Sequence, residues 1–444
     1  MKEILKVAVT GATGNLGYSL LGMLGRGLVF GMKQPIQLNL FDIPQQSKML
    51  EASVMEIHDC ALPLVKNVVA TSDLSVAFKD IKAAFLVGSV PRSKGMERKD
   101  LLAKNVLIFK EQGEALDKHA CKDVKVLVIG NPANTNCLVC SHFASTIPRE
   151  NFSAMMRLDQ NRATAQIANT LGVPPSEVRN VFVWGNHSVT QIPYAGLGCV
   201  TVDGTPKPIV ECLDDCYLNG AFVNDVATRG AAVIEKRQLS SAMSAASAAC
   251  DHMHDWWHGT DPGEFVSMAV YSDGSYCSPE GTMFSFPVTI ENKQWSIVEG
   301  IQLTYDTKSR IFKTARELKA EKEEAMSLVC GGGGDGDKKA KTEKKAEPKK
   351  DEKKADAKKP EPKKEEKKAD AKKPEPKKAE AKKPEPKKAE VKKPEAKKPE
   401  PKKPEPKKVE AKKPEPKKEA AKKPEPKKTE PKKDDKKPEN KPKK

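Results

Sequence analysis

The sequence predicts an α/β protein: an open, doubly wound parallel sheet in the first half, a mixed α+β region in the second, and a C-terminal tail with no core of its own. Three observations predict it. Short β-branched runs alternate with longer helical patterns up to about residue 154, strand-like and helical segments mix without that regularity up to about 330, and the composition collapses to Lys, Pro, Glu and Ala after "CGGGGDGD". The expected division is therefore 1–154, 155–330 and 331–444.

In the first half, "KVAVT" reads as a strand leading to a helix from about Asn15, and "IQLNLFD" as a strand before a helix from about Met49 to Cys60. "AAFLVG" and "VKVLVIGNP" supply two further buried strands. Strands that alternate with helices in this way imply βαβ crossovers and a parallel sheet. In the second half, a helix is expected from about Gln160 to Leu171, a strand ending at Trp184, and an Ala/Ser-rich helix from about Ser240 to Trp256. The strands "FVSMAVY" and "MFSFPVTI" follow, and then a charged helix from Ser309 to about Met326.

The net charge of +17 invites a nucleic-acid reading until it is located. Residues 331–444 hold 46 lysines against 26 acidic residues, a net of +20, so residues 1–330 carry −3. A near-neutral body of that size can bury one large core or two smaller ones, and it fits an enzyme better than a nucleic-acid binder. The ten cysteines are scattered through a long chain, which argues for reduced thiols and an intracellular setting. Cys137 and Cys140 form a C-x-x-C without a second pair or a histidine at zinc spacing, so no metal site is expected and both are read as small apolar helix residues. The N-terminus "MKEILKVAVTG" enters a strand directly, which leaves no room for a leader, and no apolar run reaches the ~18 residues of a membrane span. A cytoplasmic protein is expected.

"VAVTGATGNLGYSL" places Gly11, Gly14 and Gly17 between the first strand and the first helix. In a Rossmann-type dinucleotide site those positions need no side chain: the turn is tight, backbone must approach the pyrophosphate, and the helix must pack against the sheet with its N-terminus toward the phosphates. Alone the motif fits any tight strand-to-helix turn. Asp42, at the end of the second strand, adds the acidic partner expected for the adenosine ribose, and its charge favours NAD over NADP. Asp42 can equally initiate the turn before Ile43 and Pro44.

"VGSVPRSKGMERKDLL" follows the third buried strand with Arg92, Lys94, Arg98 and Lys99 around Gly95. A solvated basic loop is one reading; a glycine-hinged lid whose arginines fork onto a carboxylate is the other. "MRLDQNRATAQIA" sets Asp159 and Arg162 three apart on one helical face, an arrangement that an intrahelical ion pair alone would explain. His187, in "FVWGNHSVTQIP", ends an apolar run, where most histidines are merely hydrogen-bonded.

Together these segments, with "IGNPANTNC", "RGAAVI", "LSSAMSAA", "GEFVSM" and "FSFPV", resemble malate dehydrogenases of the cytosolic type in order and spacing over nearly all of residues 1–328. The resemblance implies that His187 is the proton donor and acceptor and that Asp159 holds its other ring nitrogen. It implies that Arg162 grips the carboxylate beside the reacting carbon, that Arg92 and Arg98 bind the distal carboxylate, and that Asn131 touches both substrate and nicotinamide ribose. It further implies that the turn Gly11, Ala12, Thr13, Gly14, Asn15, Leu16 and Gly17, with Asp42, Asn105, Gln112, Ile129, Gly130 and Asn131, holds NAD. The implied substrates are malate and oxaloacetate, and the implied assembly is a homodimer. Residue 160 is Gln, a form shared with lactate dehydrogenases derived from this family, but Arg92 decides for a dicarboxylate: a second carboxylate facing a dry pocket without a cation would be strongly penalised.

Nothing in that resemblance accounts for residues 331–444. The ten-residue period of "KKPEPKKAEA" has nothing apolar to bury, so disorder with polyproline II character is expected. It reads either as a self-repelling bristle or as a weak tether to an acidic surface such as a microtubule, RNA or anionic lipid. The remaining alternatives for the whole chain are a lactate dehydrogenase of the same family, or a tethering protein whose body is incidental.

Overall fold

A computed structural model of the chain describes residues 2–90 and 98–330, the side chain of Arg98 excepted. The first strand, β1 (Leu5–Thr10), leads through the glycine turn into α1 (Asn15–Gly25). After it come β2 (Ile36–Phe41), α2 (Ser47–Asp59), β3 (Val65–Thr71), α3 (Leu74–Ala77), β4 (Ala83–Leu86), α4 (Arg98–His119), β5 (Lys125–Val128), α5 (Ala133–Phe143) and β6 (Phe152–Ala154). These six strands run parallel in the order β3-β2-β1-β4-β5-β6.

The near-continuous apolar runs are explained by burial on both faces. Val7, Val9, Leu38, Leu40, Phe85 and Leu127 point to one side, against Leu20 and Leu24 of α1. Ala8, Ala84, Leu86, Val126 and Val128 point to the other, against Phe109 and Leu116 of α4 and the buried thiols of Cys137 and Cys140 on α5. Burial pushes both of those thiols up, as befits apolar packing residues. The β3 strand is half-buried at the sheet edge, and its mixed residues give little sequence signal.

The second half begins with α6 (Arg157–Leu171), β7 (Val178–Arg179), β8 (Phe182–Trp184), β9 (Ile192–Tyr194), β10 (Cys199–Val202), β11 (Thr205–Pro208), α7 (Ile209–Cys212), α8 (Asp215–Asn219) and α9 (Ala221–Arg237). It closes with α10 (Met243–His258), β12 (Val266–Tyr271), β13 (Met283–Glu291), β14 (Gln294–Ile297) and α11 (Tyr305–Cys330). Strand β12 pairs antiparallel with β6, so β12, β13 and β14 extend the parallel sheet to nine strands without a break near residue 154. The β8–β9 hairpin joins this sheet through the bridge between Gly185 and Ser285. A smaller sheet, β11-β10-β7, shares a separate core with α6 and α9.

Two helices start three or four residues before their sequence-based bounds. Helix α6 starts at Arg157 rather than near Gln160, because Arg157 ion-pairs with Asp255 of α10 and Asp159 in the first turn suits the helix dipole. Helix α11 starts at Tyr305 rather than Ser309, where Asp306 and Arg310 pair at 2.7 Å, and it continues to Cys330 because Val329 packs with Leu102 and Val106 of α4.

Candidate active site

The order of the parallel strands reverses between β1 and β4, and the two strand ends meet at Gly11. Its φ is +64°, and a Cβ there would lie 2.6 Å from Gly88 Cα, so only glycine lets the turn pass. A Cβ on Gly17 would lie 2.2 Å from the carbonyl oxygen of Gly11, which shows how tightly α1 sits on the turn. No side chain caps the N-terminus of α1 at Gly14, and its first turn holds no acidic residue. Its first amide groups are thus suited to an anion at the sheet's switch point. Ala12 ties this turn to β2 through its amide, which donates to Phe41 O at 3.2 Å.

Asp42 lies beside the turn: its Oδ2 accepts from the amide and the hydroxyl of Thr13 at 3.1 and 2.6 Å, and its Oδ1 accepts from the Ile43 amide at 2.9 Å. Turn initiation and placement beside the glycine loop are thus both satisfied by one carboxylate. Asn105 is fully buried and joins two loops above the sheet. Its Oδ1 accepts from Val90 N at 2.8 Å, and its Nδ2 donates to Asn131 O at 2.8 Å. Gln112 is also buried, and its Oε1 has no partner among the described residues. The amides of Ile129 and Gly130 both donate to Leu86 O, and a Cβ on Gly130 would lie 2.9 Å from Phe109 and 3.0 Å from Ser89. After them Asn131, exposed, precedes a cis peptide bond to Pro132.

The polar centre of the second half is Asp159, whose side chain is fully buried. Its Oδ2 lies 2.5 Å from His187 Nδ1 and its Oδ1 accepts from Arg162 Nη1 at 3.0 Å. Burial alone would push this carboxyl up, but the His187 imidazole and the Arg162 guanidinium outweigh it and hold it below the ordinary carboxylate range. Burial would likewise push His187 down, yet Asp159 outweighs burial and raises it. The carboxylate at Nδ1 fixes the proton there in the neutral ring and leaves Nε2 for a ligand. The His187 side chain is 19 % exposed and that of Arg162 14 %, so both are reachable from solvent. Arg162 Nη2 also donates to Ser241 Oγ at 3.2 Å, which aims the guanidinium.

Gln160 faces away from this cluster: its Oε1 accepts from Ser267 N of β12 at 2.7 Å. Arg92 and the side chain of Arg98 lie outside the described residues. Among the described residues, no group of His, Cys, Asp and Glu is placed to hold a metal ion, and no helix is long and apolar enough to cross a membrane.

Several supporting residues escape sequence reasoning. Asn134 of α5 accepts from the His187 amide at 3.0 Å and donates to Met283 O at 3.0 Å. Thr314, Glu317 and Glu321 of α11 contact the loop that carries His187. They lie more than 120 residues from it in sequence, and only long-range contacts reveal them.

Two family models match in tandem: the NAD binding domain of lactate/malate dehydrogenase over residues 5–153, and the alpha/beta C-terminal domain of lactate/malate dehydrogenase over residues 156–329. The chain is 55% identical to human cytoplasmic malate dehydrogenase over 331 residues, which cover 74% of this chain and 99% of that protein. Among solved structures, a malate dehydrogenase of Naegleria fowleri aligns at 39% identity with a TM-score of 0.70. A Trichomonas vaginalis lactate dehydrogenase in complex with NADH and oxamate aligns at 38% identity with a TM-score of 0.71. Each alignment covers 74% of this chain and 99% of the other.

Proposed function

The chain belongs to the lactate/malate dehydrogenase family, and from that premise we infer that it is an NAD-dependent malate dehydrogenase, interconverting malate and oxaloacetate. One observation carries the assignment of roles: Asp159 joins His187 and Arg162 in a single hydrogen-bonded line at the edge of solvent. Such a line supplies a positioned proton and a carboxylate grip side by side.

The hydride comes from NADH when that cofactor is bound along the glycine turn. The turn Gly11–Gly17 suits its pyrophosphate, since a Cβ at Gly11 or Gly17 would collide with backbone, and the uncapped α1 offers amide donors. Asp42 would accept from the adenosine ribose, and Asn105, Gln112 and Ile129–Asn131 would line the remainder. Protonated His187 gives its Nε2 proton to the oxygen of the keto carbon as negative charge develops there, and Asp159 stabilises the imidazolium before that transfer and again once the neutral ring is reprotonated. Arg162 holds the adjacent carboxylate as a two-pronged donor. Arg92 and Arg98 take the distal carboxylate, which makes a dicarboxylate the substrate. In malate oxidation the neutral ring accepts the proton.

Further assignments rest on the family and the sequence. The chain is placed in the cytoplasm, as the relatives' names state, and it works as a homodimer. Cofactor binding is assigned to residues 1–154 and substrate binding to 155–330. The lysine-rich segment 331–444 gives weak, salt-sensitive attachment to an acidic surface. Co-sedimentation of the full chain with microtubules, RNA or anionic vesicles at two salt concentrations tests it, and the absence of binding at low salt leaves a solubilising segment.

A steady-state assay of the full chain with NADH, comparing oxaloacetate with pyruvate, tests the activity. A clear preference for oxaloacetate is expected; a preference for pyruvate overturns the substrate assignment.

A further inference from the structure

His187 lies in the seven-residue connection from Gly185 to Gln191, which joins β8 to β9 without regular structure. A proton donor on such a connection needs its backbone held from outside, since a ring swings with its loop. One hold comes from α5, through Asn134 and the His187 amide. The other comes from α11, and one atom dominates it. Glu317 Oε2 accepts from Asn186 Nδ2 at 3.1 Å, from Ser188 Oγ at 2.6 Å and from Thr190 Oγ1 at 2.5 Å. These are the residues one before, one after and three after the imidazole.

The hydroxyls of this network converge on the Glu317 carboxylate. Thr314 Oγ1 accepts from the Asn186 amide at 3.0 Å and lies 2.8 Å from Thr190 Oγ1. Each hydroxyl has a single proton to give. Thr190 shares its one proton between Glu317 Oε2 and Thr314 Oγ1 while Ser188 donates to Glu317, so the network requires an acceptor at position 317. A carboxylate meets that requirement, and a neutral amide meets it with one oxygen. The loop is also pressed onto α11: a Cβ on Gly185, whose φ is +94°, would lie 2.5 Å from Thr314 Cγ2. Glu321, one turn further along α11, lies 3.4 Å from Asn186 Nδ2 and accepts from Thr135 Oγ1 of α5 at 2.8 Å, which ties both holds together.

The geometry points to Glu317 as a positioning residue for the reaction: it never meets the substrate, but it clamps the loop on both sides of His187 and so fixes where the imidazole presents its proton. This rests on the reading of His187 as proton donor. The ring's own neighbours, Asp159 and Arg162, lie on α6, so the clamp sets the loop's distance from a fixed helix.

The test uses the full chain in oxaloacetate reduction, at a temperature well below each variant's unfolding midpoint. Glu317→Ala is expected to lower kcat by roughly tenfold to a hundredfold with KM for NADH unchanged. The loss of reduction with rising pH is expected to begin at lower pH than in the parent, because a displaced ring is held less firmly by Asp159. Glu317→Gln, which keeps one acceptor oxygen, restores most of kcat. Should Glu317→Ala fail to fold, Thr190→Val removes a single donor and shifts kcat and the pH profile the same way by a smaller factor. A folded Glu317→Ala with parental kcat and an unmoved pH profile overturns the inference, even if its melting temperature falls. Equal losses in the Ala and Gln variants overturn it as well. His187→Asn is the separate control: if that variant turns over like the parent, the proton-donor reading itself fails, whatever Glu317 does.

Discussion

Asp159 Oδ2 and His187 Nδ1 lie 2.5 Å apart although 28 positions separate them in sequence, one on a helix and the other on a loop between two strands. The two groups shift each other in opposite directions, His187 up and Asp159 down. His187 therefore stabilises the fold fully below the ordinary histidine value of about 6.5 and loses that contribution as pH rises through its raised value. Asp159 contributes above the ordinary carboxylate value of about 3.9 and loses it as pH falls through its lowered value. The pair supports the fold most between about pH 4 and 6.5.

Asp159→Asn removes what raises His187 and leaves burial and Arg162, both of which lower it. Reduction of oxaloacetate at neutral pH is expected to fall on the order of a hundredfold or more, and its decline with rising pH to begin at lower pH. A kcat/KM profile across pH 5 to 9 checks this, and a variant with an unmoved profile removes Asp159 from the mechanism.

Arg92→Leu tests substrate choice. Loss of the cation that pairs with the distal carboxylate is expected to cost about 3 kcal/mol, or roughly a hundredfold in kcat/KM for oxaloacetate, while pyruvate, with no second carboxylate, keeps its rate. Paired assays on both substrates decide it; equal losses take the specificity role away from Arg92.

Gly17→Ala tests the glycine turn. The added methyl would lie 2.2 Å from Gly11 O, so α1 must move off the turn. A destabilisation of about 1–3 kcal/mol is expected, together with a clear rise in the Kd for NADH. Calorimetry and fluorescence titration read the two effects, and a parental Kd means the cofactor does not lie on this turn.

Asp42→Ser tests cofactor choice. The serine hydroxyl can still accept from Thr13, but the charge facing a 2′-phosphate is gone, so the ratio of kcat/KM for NADPH over NADH is expected to rise by roughly tenfold or more. An unchanged ratio places the discrimination elsewhere.

What the sequence reveals follows from how local each signal is. The strand β1, the glycine turn and α1 are contiguous, so period and punctuation reveal them together. The Asp159 and Arg162 pairing is three residues long and equally plain. That His187 belongs to the same cluster came from resemblance, since no spacing rule links residues 28 apart. Asn134 and Glu317 give no signal at all, because a polar residue within a helix looks alike whether it faces water or a loop brought over it by the fold. The antiparallel extension of the sheet is similarly hidden: β12 meets β6 through a single register pair, Ala269 with Ala154, chosen by packing rather than by any local pattern.

Helix α11 is the last described element before residue 331, and it backs the loop that bears the imidazole. An exopeptidase that had consumed residues 331–444 would meet Glu321, Glu317 and Thr314 before it reached any strand of the nine-stranded sheet. Such digestion would thus strip the brace of the His187 loop before it cut any strand of the sheet.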